Sequence, residues 1–508
     1  LLTPAATAGG APRYQPLLEN HAKNLWPQWS PDGRNLFYMS DVSGAENIWE
    51  KPASAEPRAL TTFKDGHVLF PSLSADGKAL VFERDFSIWK LDPSTGACAP
   101  VAITLRGTPS GVSTTHLSLS TGFRDLALSP DGKKVAFIAH GDVFAASAKD
   151  AGSALRITST SAAEGHLAWS PDSKRLAYVS DRDGVGHLFL YDFTTERETA
   201  LTNGPLEDAR PAWSPDGARI AYFRDGREIH VLKPDTKDDL TVVTRKLRTL
   251  ASVFRDDPSP VAWSPDGQWL AFLSSEERSF SNVLAVPASG GEAKPLSFLS
   301  NAFGESIVWS PDRTYLLFST GQRTEKRSIA RIDLAPRLPR FREDQFRDLF
   351  RAEAPPKAAA KPVQVVFEGV RQRLRLLNLG VDAGSESISP DGKTLLFIAG
   401  SGGNAGTGSQ QNLYTFSLDE FAREAPVPRQ LTSTPGAKAG AQFSPDGKEV
   451  FYLEAGRIFS IPVETRVARP LAITAELDVN FDEEKQEVFH QAWSILKETY
   501  YDPAFHGA

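Results

Sequence analysis

A five-residue phrase, an aromatic or aliphatic residue followed by Ser-Pro-Asp-Gly or a near variant, returns nine times along the 508 residues. Its serines stand at 30, 74, 129, 170, 214, 264, 310, 389 and 444, so the steps between them are 44, 55, 41, 44, 50, 46, 79 and 55 residues. A recurrence near 45 residues with lengthened steps describes a repeat architecture carrying insertions. The phrase itself has a physical job. Pro presets φ, Asp bonds the nearby backbone and Gly takes the positive φ that other residues avoid. It is a tight turn between two strands, and its Ser and Asp are turn formers rather than catalytic groups.

Short apolar runs follow the turns, such as Lys134-Val-Ala-Phe-Ile138, Arg219-Ile-Ala-Tyr-Phe223, Trp269-Leu-Ala-Phe-Leu273 and Thr394-Leu-Leu-Phe-Ile398. Their β-favouring, continuously apolar character predicts strands buried on both faces. A second turn comes next, as in Ser180-Asp-Arg-Asp-Gly184, then a third strand such as His187-Leu-Phe-Leu-Tyr191. A Leu-Thr or Ile-Thr pair closes the unit at Leu60-Thr61, Ile157-Thr158, Leu201-Thr202 and Leu431-Thr432, its Thr 12 or 13 residues before the next turn Ser. Four strands per unit, stacked on both faces around an axis, make an all-β fold of propeller blades.

The bulk numbers exclude several classes. With 56 basic and 63 acidic residues and a formal charge of -7, there is no basic footprint for nucleic acid. The single cysteine, Cys98, forbids an internal disulfide and offers no Cys-rich metal site. No stretch reaches the roughly 18–20 apolar residues of a membrane-spanning helix. The chain begins at Leu1 without a charged-then-apolar leader. Leu2-Thr3 reads as a closing pair and Gly9-Gly10-Ala11-Pro12-Arg13 as a turn between third and fourth strands, so the expectation is a start inside a blade, with earlier blades upstream.

Residues 1–110 hold two full repeats and this remnant, the end of a first propeller. Val101 to Thr121 lengthens one step, and Thr108-Pro-Ser-Gly111 has the composition of a linker. The seven phrases within 113–474 suit one seven-bladed propeller, with a single nine-bladed ring as the rival. In the 79-residue step, Ser328–Asp333 reads as a third strand and Val363-Gln-Val-Val-Phe367 as a fourth, enclosing an insertion at 334–362. There Phe341, Phe346, Leu349 and Phe350 can share a helical face among mixed charges, either a docking helix or a solvated surface helix. Ala354–Pro362 reads as a semi-rigid linker. Residues 476–508 break the pattern: Asn480 with Glu483 can cap a helix carrying Val488, Phe489, Ala492, Trp493, Leu496 and Tyr500 at helical spacing, the first element of a following domain.

Chemistry-bearing motifs are sparse. There is no Gly-x-Ser-x-Gly elbow and no His-Glu-x-x-His pair. Gly400-Ser-Gly-Gly-Asn-Ala-Gly406 lacks the Gly-Lys-Ser/Thr ending of a phosphate loop and falls where the other repeats turn between second and third strands. Nine histidines are scattered without paired spacing, so neither a metal site nor a cofactor is expected. Arg124, Asp208, Arg210, Arg255 and Asp256 read as exposed loop residues before the turns, either lining one propeller face or its channel or standing as ordinary surface charges, and Arg124, Arg210 and Arg255 are the binding candidates. No catalytic residue and no triad can be named.

The sequence Pro-x-Trp-Ser-Pro-Asp-Gly, apolar strand, Ser-Asp, strand and Leu-Thr resembles the TolB-like repeat family across most of residues 1–474. The tail Glu487-Val-Phe-His-Gln-Ala-Trp-Ser-Ile-Leu-Lys-Glu-Thr-Tyr-Tyr-Asp-Pro-Ala-Phe-His-Gly507 resembles the helix that opens the catalytic region of tricorn proteases and related C-terminal-processing peptidases. Ala139-His-Gly-Asp-Val-Phe144 and Val365-Val-Phe-Glu-Gly-Val-Arg-Gln-Arg373 are similar to tricorn proteins too. The resemblance implies a serine peptidase, a peptide or protein substrate filtered by the propellers and a ring-shaped homo-oligomer. Its catalytic Ser, His and Glu would lie beyond residue 508, and His506 belongs to the helix-end motif. The expected role of these residues is therefore to gate or dock peptides for a downstream catalytic domain, with a non-enzymatic TolB-like interaction scaffold as the alternative. The resemblance fits either the periplasm or the cytoplasm, the periplasm being slightly favoured.

Overall fold

The computed structural model describes residues 2–3, 13–14, 16–104, 114–150, 152–244, 261–274, 280–301, 304, 306–322, 326–337, 361–401, 410–421 and 425–499. Each turn phrase closes as its chemistry requires. At Ser129 the hydroxyl donates to Asp131 Oδ1 at 2.5 Å, the same oxygen accepts the Lys133 N–H at 3.0 Å, and Ser129 Oγ accepts the Lys134 N–H at 2.9 Å. Gly132 supplies φ +67° and donates its N–H to the Ser129 carbonyl. The variants Ser173 and Arg313 adopt the same left-handed region, with φ 59° and 68°. A side chain there costs about 1–2 kcal/mol, and each contributes a bond in return: Ser173 Oγ accepts the Asp131 N–H of the preceding blade, and the Arg313 guanidinium donates to the Lys361 carbonyl.

Among the described residues the phrases join strands into nine four-stranded antiparallel sheets, each taken in sequence order. The chain divides into two compact units, 1–111 and 112–508. The first unit holds the sheets beginning at Asn24 and Leu69, and a short ladder pairs Leu2 with Tyr14 and Thr3 with Arg13. The second unit is a seven-bladed propeller, whose blades begin at Arg124, Glu164, Asp208, Ala262, Ile307, Asp382 and Lys438; they are numbered 1 to 7 here. The first strand of each blade touches the first strand of the next, and that of blade 7 touches that of blade 1. The first strands therefore form the inner wall of a closed ring.

Middle strands such as Lys134–Ala139 and Tyr315–Thr320 are buried almost throughout, since each ring blade is covered on both faces. In the first unit, the strand Leu80–Arg84 alternates buried and exposed instead, leaving Val81 and the neighbouring Ile88 open to solvent.

One device repeats between blades. The phrase Trp of blades 2, 3, 4 and 5 donates its indole N–H to an Ala carbonyl of the preceding blade: Trp169 to Ala127, Trp213 to Ala168, Trp263 to Ala212 and Trp309 to Ala262, all at 2.9–3.0 Å. Cations of the preceding blade lie over three of these rings, Lys134 on Trp169, Arg175 on Trp213 and Arg219 on Trp263. Where the next phrase begins with Leu, the Ala is replaced by Gln. Gln442 bridges to the Leu126 carbonyl and the Leu128 N–H, and Gln28 to the Pro71 carbonyl and the Leu73 N–H.

The linker read at 108–111 lies outside the described residues. Just after it Thr114–Leu119 is a strand paired antiparallel with Ile473–Asn480, so one sheet clasps the start and end of the ring. Ala475, Leu477 and Val479 bury their side chains against Phe123, Phe137 and Phe144 of blade 1, a stronger reason for a strand than local composition. The fourth strand of blade 5 is Leu374–Leu376, not Val363–Phe367. Val363 instead fills the blade core together with Val370, and the Asp266 carboxylate accepts its N–H. The proposed helix around Phe341–Phe350 and the Ala354–Ala360 part of the linker lie outside the described residues.

Candidate functional site

Among the described residues, seven first strands contain a bulge, and the residue inside it has positive φ. In the ring these are Asp125, His166, Arg210, Ser385 and Gly440; in the first unit they are Trp26 and Phe70. A bulge leaves one residue out of the ladder and re-aims its side chain. Here the side chain can reach the neighbouring blade along the inner wall: Asp125 Oδ2 accepts the Leu167 N–H at 3.1 Å, and His166 Nδ1 lies 3.4 Å from the Arg210 nitrogen. The wall is thus chemically uneven. At the bulges, blades 1 to 3 present a carboxylate, an imidazole and a guanidinium, while blades 6 and 7 present Ser385 and Gly440 beside a recess of about 380 Å³ that Arg327, Glu386 and Lys438 also line.

The second feature is a cleft of about 320 Å³ at the end of blade 1, roofed by the helix Phe481–Thr499. Asn480 caps this helix as its sequence predicts, Oδ1 accepting the Asp482 N–H at 3.1 Å and the side-chain amide donating to Glu483 at 2.8 Å. Glu483, Glu484 and Glu487 face the cleft, with Arg124, His140 and Asp142 opposite. His140 Nε2 stands 3.4 Å from Glu484 Oε1. The helix therefore turns a charged face toward the ring and leaves Val488, Phe489, Trp493, Ile495 and Leu496 exposed.

Beneath the cleft lies a buried polar seam. Asp142 pairs with Arg156 at 2.7 Å, and Glu164, with a side chain wholly out of solvent, lies 3.6 Å from Arg182. Burial pushes the Glu164 carboxyl up to about 7, against the hydrogen bonds of Thr160 and Ser180. Burial also raises Asp142 in spite of Arg156, and it raises Asp181, to which Glu487 of the helix adds.

Of the three binding candidates, Arg124 lines the cleft and Arg210 stands in the inner-wall bulge of blade 3. Arg255 lies outside the described residues, as do Asp256 and His506. Asp208 is not a surface charge: it is fully buried and bound by Arg224 at 2.8 Å. The bulge residues Asp125, His166 and Ser385 were not legible as a set, because the sequence between closing pair and turn varies in composition while the backbone irregularity recurs. The common signal is distance: Asp125, His166, Arg210, Ser385 and Gly440 each stand four residues before their turn Ser.

Residues 182–294 match the family described as the dipeptidyl peptidase IV (DPP IV) N-terminal region. The uncharacterized peptidase YuxL of Bacillus subtilis (strain 168) is 26% identical over 144 residues, 27% of this chain and 21% of that protein. Among solved structures, the crystal structure of the tricorn protease superposes with a TM-score of 0.69 at 14% identity, covering 96% of this chain and 47% of that one. A putative TolB from Agrobacterium tumefaciens matches at 18% identity and a TM-score of 0.34, over 44% of this chain and 86% of that one. The chain thus spans about half the length of the tricorn protease, and its match to the peptidase about a fifth of that protein. At 14% identity the tricorn likeness establishes a shared propeller fold.

Proposed function

We propose that this chain is the propeller region of a tricorn-like serine peptidase, that it gates or docks peptides for a catalytic domain following it, and that it does not cleave them. In this reading residues 1–110 end a first propeller, 113–474 form the second, and 476–508 open the peptidase domain. The observation that carries the proposal is the likeness to the tricorn protease along 96% of the chain. The relation to a peptidase over 144 residues and the DPP IV N-terminal match agree with it. The inner wall supplies the means: the small residues of blades 6 and 7 border a recess that an extended main chain can enter, and the charged bulges of blades 1 to 3 suit side-chain discrimination. Peptide or protein substrates and a homo-oligomeric ring belong to the same proposal.

The chain is expected to leave fluorogenic peptides intact over hours. Turnover abolished by a serine-reactive inhibitor would overturn the assignment of catalysis to another domain. A scaffold without catalysis is the second reading, favoured by the exposed apolar face of the terminal helix. Under it, partner capture depends on Phe489 and Trp493, and the gene encodes no peptidase domain downstream.

A further inference from the structure

Two carboxyl groups share one hydroxyl in the seam beneath the cleft. Thr158 Oγ1 lies 3.0 Å from Asp142 Oδ1 and 3.2 Å from Glu164 Oε2, and it already accepts the Val143 N–H at 2.9 Å. A threonine hydroxyl has one proton to donate. With both carboxyls ionised, Thr158 serves one of them and leaves the other oxygen facing an acceptor. A proton on Glu164 Oε2 completes the chain, Glu164 donating to Thr158 and Thr158 donating to Asp142.

The other oxygens of the pair suit that proton less well, Asp142 being held ionised by Arg156. Glu164 Oε1 accepts from Thr160 Oγ1 at 2.7 Å and from Ser180 Oγ at 3.0 Å. Asp142 Oδ2 accepts from Arg156 Nη2 at 2.7 Å and Nε at 3.2 Å, and Asp142 Oδ1 also takes the Thr160 N–H. The charged groups facing Glu164 are Asp142 and, at 3.6 Å, Arg182, whose guanidinium is committed to Glu198 at 2.8 Å. Arg156 acts on Asp142. Both carboxyl side chains are out of solvent.

The position gives the proton a consequence. Asp142, Arg156 and Thr158 belong to blade 1, whereas Glu164, Ser180 and Arg182 belong to blade 2. Asp142, Arg156 and Thr160 also line the cleft under the terminal helix. We propose that a proton held among Asp142, Thr158 and Glu164 is a pH-sensitive latch between the first two ring blades, closed in mildly acid solution and released as the solution turns alkaline.

The folded chain keeps this proton through a range in which the unfolded chain, with an ordinary carboxyl near 4.5, has already released it. The latch therefore stabilises fully below that value and loses its contribution as pH rises through about 7. One such proton changes the folding constant by about tenfold per pH unit within the window.

The test is urea unfolding of the full chain and of Glu164→Gln from about pH 5 to about pH 8, a window set by the linkage. It is paired with ¹³C NMR titration of the glutamate carboxyls in the unaltered protein. The amide of Glu164→Gln cannot ionise, so the ratio of the two folding constants is expected to fall about tenfold per unit up to neutrality and then level off. One glutamate carboxyl of the unaltered protein is expected to titrate near neutrality. A ratio that stays constant with pH, or glutamate carboxyls that all titrate in the ordinary acid range, overturns the latch. Should Glu164→Gln fail to fold, the carboxyl titration decides alone.

Discussion

At the scale of single residues, the fold depends on side chains that complete the backbone. The Thr of each closing pair is the plainest case. Thr61, Thr158, Thr202 and Thr432 are buried, and each accepts the N–H of a third-strand residue: Ile48, Val143, Leu188 and Leu413. Ser297 does the same for Val283 in blade 4. Thr202→Val keeps the shape and strands the Leu188 N–H, so it is expected to cost about 1–3 kcal/mol, read by urea unfolding; an unchanged midpoint would show that water replaces the hydroxyl. The period of that Thr was visible in the sequence, but its partner was not, because the bond spans 14 residues and depends on how third and fourth strands meet. The buried charges were equally hidden. Asp208 looked like a loop charge and proves to be sealed under Arg224.

At the scale of strands and blades, the wiring between neighbours follows a compensation rule. A Trp at the head of one phrase bonds an Ala carbonyl of the preceding blade, and a Gln takes over where the next phrase begins with Leu. Gln442→Ala therefore removes two bonds at the junction of blades 7 and 1, and the expected loss is about 1–3 kcal/mol. Adding Leu128→Trp in that background should recover part of it, since an Ala then faces a Trp as at Ala168 and Trp213. Unfolding of the single and double variants checks this, and a double variant no better than the single one refutes the rule. The same junction is tight elsewhere: a Cβ on Gly132 would lie 2.6 Å from Pro445 Cδ, at φ +67°. Gly132→Ala is expected to lower the melting temperature more than Gly33→Ala, whose Cβ meets nothing within 4 Å at a similar φ of +69°. Turns and middle strands were readable because they rest on local chemistry and continuous apolar runs. The clasp of Thr114–Leu119 on Ile473–Asn480 was not, because its pairing links residues more than 350 positions apart. The blade 5 strand was misplaced by its insertion, which puts Val363 in the core before the chain reaches Leu374.

For the whole molecule, the proposed function has peptides dock in the seven-bladed ring of the second unit and be cut elsewhere. The inner wall offers a way to block the ring without dismantling it. Ser385 occupies the bulge position that Trp26 and Phe70 occupy in the first unit, at nearly the same φ, so an aromatic side chain is compatible with that backbone. The propeller architecture was legible from the repeat; the uneven wall was not, because its chemistry sits on a backbone irregularity with no fixed residue type. The decisive measurement is a fluorescence-anisotropy titration of a labelled, extended peptide against the unaltered chain and Ser385→Trp, with the peptide analysed for cleavage afterwards. Saturable binding of intact peptide is expected, weakened at least about tenfold, or about 1.4 kcal/mol, by the substitution. Equal binding by both proteins, or cleaved peptide in either, would contradict it.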